Sequence, residues 1–187
     1  MTEKEKRDAG MIYDANYDEE LQKEMQECQD QCFLYNQILP SRTGEREEQM
    51  KKILGKVKGS FEIRPPFWCD YGYNIEIGER FFASHNCVIL DGARVTFGDD
   101  VFIAPDCGFY TAGHPVDSER RNKGLEYARP ITVGDSVWFG AGVRVMPGVT
   151  IGSDVVIGAG SVVTRDIPDH VVAAGNPCRV IRNIEEA

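Results

Sequence analysis

The stretch Val133–Ile167, VGDSVWFGAGVRVMPGVTIGSDVVIGAGSVVTRDI, decides the fold. Every sixth residue from Val133 is large and apolar: Val133, Phe139, Val145, Ile151, Ile157 and Val163. The residue after each is Gly134, Gly140, Met146, Gly152, Gly158 or Thr164. Four places on from the first set come Val137, Val143, Val149, Val155, Ser161 and Ile167, all small or β-branched. A strand alternates with period 2 and a helix with period 3.6, so neither sustains this pattern. A period of six fits a short flat strand and a turn, with the apolar residue pointing inward and glycine at a crowded corner. Coils of this kind bury a continuous core only when stacked.

Working outward, the same texture runs from about Phe61 to Arg182. Ile77-Gly78, Ala83 and Ile89 share one phase; Phe97-Gly98, Ile103-Ala104 and Phe109 share another, shifted by two residues. The second set is in step with Val133 and beyond. Residues 111–130, TAGHPVDSERRNKGLEYARP, have no repeat texture and read as a loop that leaves the array and returns. Residues 1–59 are charged and poor in β-branched residues. A helix is predicted from Asp18, its N-cap, to Leu39, ahead of Pro40, with Leu21, Met25, Cys28, Cys32, Leu34 and Tyr35 along one stripe. A second helix is predicted from Glu45 to about Ile53, with Thr43 as a cap. The expected organisation is thus an N-terminal helical segment, 1–59, and a β-solenoid, 60–187.

Composition narrows function. The 187 residues suit one domain with an appendage, and a formal net charge of -9 disfavours nucleic acid and anionic membranes as partners. Nineteen glycines exceed the usual ~7% and fall largely in the repeat. No apolar run is long enough for a membrane helix, and MTEKEKRDAG lacks a signal-peptide core, so a cytoplasmic protein with reduced thiols is expected. Cys28 and Cys32 are four apart on a predicted helix, but no second Cys or His pair completes a tetrahedral site, so they read as part-buried thiols and no metal is expected.

The repeat resembles the hexapeptide-repeat acyltransferases. Further segments match those related to maltose and galactoside O-acetyltransferases: Ala9–Asp14, Asp70–Gly78, Phe82–Asp91, Gly113–Asp117, Arg121–Tyr127 and Gly175–Arg182. The resemblance implies a mainly β fold, a left-handed parallel β-helix. It also implies transfer of acetyl from acetyl-CoA to a sugar hydroxyl, and a homotrimer with active sites between subunits, the N-terminal helices helping to cover the sugar.

An alcohol attacks a thioester only when a base takes its proton, and imidazole has a suitable pKa. His114, on the irregular loop within Gly-His-Pro, is the expected base. His85 reads as solvated or packed, and His170 as a turn residue. A zinc-dependent hydratase of the γ-carbonic anhydrase type is disfavoured because the three histidines are 29 and 56 residues apart. For the sugar the resemblance points to Asp14, Asp70, Ser84 and Asp91, with Tyr71, Tyr73 and Asn86 as possible lining. Galactoside transferases tend to carry Ser at Asp70, Asn at Ser84 and Asp at Gly92, so Asp70 and Gly92 lean to the maltose pattern while Ser84 departs from the usual Asn. Trp68 and Phe82 fit sugar stacking or core packing. For CoA, the arginine fork suits phosphate, which makes Arg165, Arg179 and Arg182, with Thr164, the expected donors, and the resemblance implies backbone contacts at Ala141 and Ala159 and Trp138 beside the pantetheine. The N–H near Ala141 is a candidate oxyanion donor. No nucleophile motif links Cys87 or Cys107 to His114, so direct transfer is the simpler chemistry. The alternatives are the same donor with another acceptor (an antibiotic, a lipo-oligosaccharide or an amino sugar), or a non-catalytic trimeric scaffold.

Overall fold

The computed structural model describes residues 1–184. Short parallel strands stack into a three-faced prism. The first face holds Phe67–Cys69, Cys87–Leu90, Gly108–Tyr110, Arg144–Val145 and Val162–Val163. The second holds Lys56–Val57, Ile75–Ile77, Val95–Phe97, Ile131–Val133 and Thr150–Ile151. The third holds Phe61–Ile63, Phe81–Ala83, Phe102–Ile103, Val137–Phe139, Val155–Ile157 and Val171–Ala174. Arg179–Asn183 closes the third face as an antiparallel strand. This is the parallel β-helix that the family resemblance implies, built from the stacked coils expected from the period of six. The solenoid starts at Lys56, inside the segment assigned from the sequence to the helices.

The residues expected to point inward do so. Val133, Phe139, Val145, Ile151, Ile157 and Val163 are all buried, as are Val137, Val143, Val149, Val155, Ser161 and Ile167. Inside the prism Phe81, Phe97, Phe109 and Phe139 form a continuous column with ring centroids 5.0–5.2 Å apart. Each such side chain contributes roughly 1.5–3 kcal/mol by leaving water, and edge-on ring pairs add about 0.5–1.5 kcal/mol. Glycine is needed where coils touch. A Cβ on Gly140 would lie 2.6 Å from the Ala159 nitrogen, and one on Gly98 would lie 2.2 Å from an Asp135 oxygen.

Strand register explains the two-residue phase shift. In the C-terminal coils Thr132 pairs with Thr150, 18 residues on. In the N-terminal coils Ile75 pairs with Val95, 20 residues on. The extra residues lie where the chain passes from the first face to the second, at 70–74 and 91–94. The next pairing, Val95 with Ile131, spans 36 residues and contains the loop at that same corner. This wide corner is therefore where the repeat gives up regularity. At the corner from second to third face, Arg80, Asp100, Ser136, Asp154 and His170 all take positive φ of 54–58°. At the corner from third to first face stand Ser84, Ala104, Ala141 and Ala159.

Three helices precede the prism: α1 (Glu3–Asp8), α2 (Glu19–Gln37) and α3 (Thr43–Ile53). α1 was not foreseen; a Thr2–Glu5 capping box fixes its start. Asp18 caps α2 as expected, accepting from the Leu21 N–H at 3.0 Å. α2 stops short of Leu39 because a residue before proline avoids the helical region. Thr43 is the first residue of α3 rather than its cap; Arg42 occupies the cap without a side-chain bond. Leu21, Cys28, Cys32 and Tyr35 are buried, and Cys28, Cys32 and Tyr35 join the core of the prism. Leu34 is half exposed, because at two places past Cys32 it lies about 200° round the helix.

Candidate active site

The irregular loop is not structureless. Ala112–Gly113 and Leu125–Ala128 pair as antiparallel strands, with the short helix α4 (Ser118–Asn122) at the tip. A strand from the N-terminal segment, Tyr13–Asp14, adds to the far side, pairing Tyr13 with Glu126 and Asp14 with Leu125. Two segments more than 100 residues apart thus make one small sheet over the wide corner.

This sheet positions His114. Its Nδ1 lies 2.9 Å from the Leu125 carbonyl oxygen, which can only accept. A neutral ring so placed carries its proton on Nδ1 and leaves the Nε2 lone pair free. The ring is about half exposed, and Nε2 lies 3.8 Å from a Glu126 carboxylate oxygen. Glu126 is held in turn by the Tyr13 hydroxyl, which donates at 3.2 Å. Sequence reasoning missed Glu126. Its only signal was its place within the Arg121–Tyr127 segment; the pairing that brings it to His114 is long-range.

The carboxylates predicted for sugar binding divide by environment. Asp14 Oδ1 accepts from the Asn16 and Tyr17 N–H groups at 3.1 and 2.9 Å and so shapes the turn after its strand. Asp91 is fully buried at the wide corner. Its Oδ1 accepts from the N–H groups of Asp70 at 3.0 Å and Tyr71 at 2.9 Å, and Oδ2 accepts from Asn74 at 3.3 Å. Burial pushes its carboxyl up to about 6 despite these donors. Asp70 is half-buried above it; burial, then the Asp91 and Glu126 charges, pushes it up to about 7. Tyr71 is buried beside Tyr73, and the Arg7 guanidinium stacks on Tyr71 at 4.7 Å and donates a hydrogen bond to the Tyr73 hydroxyl at 3.0 Å.

The structure does not bring Ser84 to this cluster. Ser84 is buried at the opposite edge of the first face, at the corner following the third face. There it joins Arg64, Phe82, Phe102, Ala104 and Trp138 around an open cleft of about 630 Å³. Phe82, Phe102 and Trp138 are register partners on the outside of the third face. Trp138 is 55% exposed, which no core role explains. Trp68, on the first face, is also exposed, at 39%. Ala141 and Ala159 continue the same edge as Ser84. The Gly142 and Gly160 N–H groups donate to Pro105 and Ala141 carbonyls, whereas those of Ala141 and Ala159 have no acceptor among the described residues. Arg179 and Arg182 are exposed on the strand that closes the third face, while Thr164 and Arg165 are exposed at the wide corner of the last coil. The predicted CoA residues therefore lie in two places.

The three histidines occupy three different corners. The His85 ring faces the Pro65 carbonyl, and His170 Nδ1 lies 2.8 Å from Asp154 Oδ2, which holds its pKa up. None approaches another as a metal pair would. Asn86 instead bonds Asp106 at 2.8 Å. No helix among the described residues is long and apolar enough to cross a membrane.

Comparison with known proteins agrees with this architecture. Residues 6–59 match the maltose acetyltransferase hexapeptide capping motif, and residues 130–165 match the bacterial transferase hexapeptide family. The chain is 47% identical to the galactoside O-acetyltransferase of Escherichia coli over 154 residues, 82% of this chain and 76% of that protein. A crystal structure of a maltose O-acetyltransferase from Clostridium difficile 630 superposes with a TM-score of 0.96 at 50% identity, covering 100% of this chain and 99% of that one. A galactoside acetyltransferase in complex with coenzyme A gives 0.95 at 43% identity, covering 99% and 92%. On this likeness along nearly its whole length, the chain belongs to the hexapeptide-repeat acetyltransferases of the maltose and galactoside O-acetyltransferase type.

Proposed function

We propose that the protein transfers acetyl from acetyl-CoA to a sugar hydroxyl, with His114 as general base. The single observation that carries this reading is the contact of His114 Nδ1 with the Leu125 carbonyl oxygen. The Leu125 carbonyl accepts a hydrogen bond from the Nδ1–H and leaves Nε2 as an acceptor on an exposed ring. Nε2 takes the proton of the sugar hydroxyl as its oxygen attacks the thioester carbonyl. The tetrahedral oxyanion then collapses, the C–S bond breaks, and CoA leaves as the thiol after taking that proton from the imidazolium. Glu126 faces the imidazolium formed on the way and favours it. The bound coenzyme A in a close structural relative supports the donor.

Asp14, Asp70 and Glu126 offer acceptors for sugar hydroxyls, with Asp91 holding the wide corner beneath Asp70. Trp138, the Ala141 and Ala159 N–H groups, Thr164, Arg165, Arg179 and Arg182 are the groups for CoA. One chain places His114 and Ser84 on opposite edges of the first face. A homotrimer resolves this: one subunit's wide corner faces another's Ser84–Ala159 edge, and the site forms between them. Its six free cysteines suit a reducing, cytoplasmic setting. The test is purified protein with acetyl-CoA and a panel of glucosides, maltose and galactosides, followed by thiol release. Activity on none of them, with turnover of an amino sugar or antibiotic, would move the reading to another acceptor.

A further inference from the structure

Three sulfurs meet where α2 leans on the first face. Cys28 and Cys32 are one turn apart on α2, and Cys69 ends the strand Phe67–Cys69. Cys69 Sγ lies 3.5 Å from Cys28 Sγ and 3.7 Å from Cys32 Sγ. All three sulfurs fall within 4.8 Å of one another, and all three residues are buried. The sequence alone offered only the helical pair; the fold supplies the third thiol across 37 residues.

Buried thiols also pack as small apolar groups. Two features go beyond packing. The spacing is the first. Sulfurs bound tetrahedrally at ~2.3 Å from a metal sit about 3.8 Å apart, close to the separations seen. The second is access. A groove of about 450 Å³ reaches Cys28, lined by Glu24, Glu27, Gln31, Lys52 and Tyr73. Glu24 in its wall already pairs with Lys4 and Glu27 with Lys23, so what the groove supplies is a path to the sulfur.

We propose that Cys28, Cys32 and Cys69 bind a soft divalent d¹⁰ cation of the zinc class through three sulfurs, with the fourth position turned to the groove. Binding converts three thiols to thiolates and releases three protons to solvent. The ion ties α2 to the first rung of the first face, and so fixes the helical segment against the prism independently of the acetyl-transfer reading.

The test titrates reduced, metal-stripped full-length protein with cadmium, whose sulfur charge-transfer absorption reports thiolate ligation, and with zinc against a chromophoric chelator. The expected result is saturation at one ion per chain. Cys69→Ser weakens binding by more than about 100-fold, a loss exceeding that of a supporting group around a metal. Cys178→Ser, at a buried cysteine far from the cluster, leaves it unchanged. Absence of a stoichiometric cadmium band in the wild-type protein overturns the proposal, whatever the variants do. So does a folded Cys69→Ser protein that binds as the wild type does; if that variant does not fold, Cys28→Ser, nearer the groove, takes its place.

Discussion

His114 Nδ1 lies 2.9 Å from the carbonyl oxygen of Leu125, eleven residues further along the same hairpin. This contact sets which nitrogen is free, so it separates two substitutions. His114→Ala removes base and contact and lowers kcat by about 10²–10⁴-fold. His114→Asn keeps an amide N–H able to reach Leu125 but has no basic nitrogen. It should lose as much rate while melting at the wild-type temperature. Steady-state thiol release and a thermal melt check both. Full activity in either variant would remove His114 from the chemistry.

Glu126 gives a different signature. Its carboxylate faces Nε2 at 3.8 Å and accepts from Tyr13 at 3.2 Å. Glu126→Gln keeps size and one acceptor but removes the charge that favours the imidazolium. We expect kcat to fall by roughly tenfold or more while the acetyl-CoA KM stays within about twofold, given that opposite charges about 4 Å apart attract by ~1–4 kcal/mol between bulk water and a protein surface. Tyr13→Phe should show a weaker effect in the same direction.

The period of six made the prism legible, because one inward residue per strand imposes a regular signature on the chain. The phase slip between Ile89 and Phe97 was also visible. Its meaning, a corner widened by two residues, emerges only from the pairing of Ile75 with Val95. What stayed hidden depends on contacts distant in sequence: Tyr13 with Glu126, Cys69 with Cys32, and the separation of Ser84 from Asp70. Local patterning carries no information about such pairs. Leu34 shows the converse error, an apolar residue assigned to a helix stripe that the angular spacing does not support.

Asp70 should make stability depend on pH in a defined direction. An unfolded carboxyl titrates near ~3.9. In the folded protein burial, with Asp91 and Glu126 nearby, raises Asp70 to about 7. Between those values the folded state holds a proton that the unfolded state has released. Stability from this group is therefore greatest below the unfolded value, falls as pH rises, and is lowest above about pH 7. At ~1.4 kcal/mol per pKa unit the difference is at most about 4 kcal/mol. Asp70→Asn should melt higher than wild type at pH 8, converge with it near pH 4, and raise the acceptor KM. Thermal melts across that range decide; a wild-type profile matching Asp70→Asn would show that the carboxyl is not destabilised.

Asp91 makes the opposite case. It is buried more deeply, but its carboxylate accepts from three backbone N–H groups that shape the wide corner. Asp91→Ala leaves those donors without partners and should cost about 2–4 kcal/mol, since each unpaired buried polar group costs ~1–3 kcal/mol and the corner can relax in part. Asp91→Asn retains one oxygen, which can keep the Asp70 and Tyr71 bonds, but turns an amide donor toward the Asn74 N–H. It should fall between Asp91→Ala and wild type in a denaturant titration. Were Asp91 only a sugar ligand, both variants would leave the unfolding midpoint unchanged and move the acceptor KM alone. The two measurements together separate a residue that supports the corner from one that binds the acceptor.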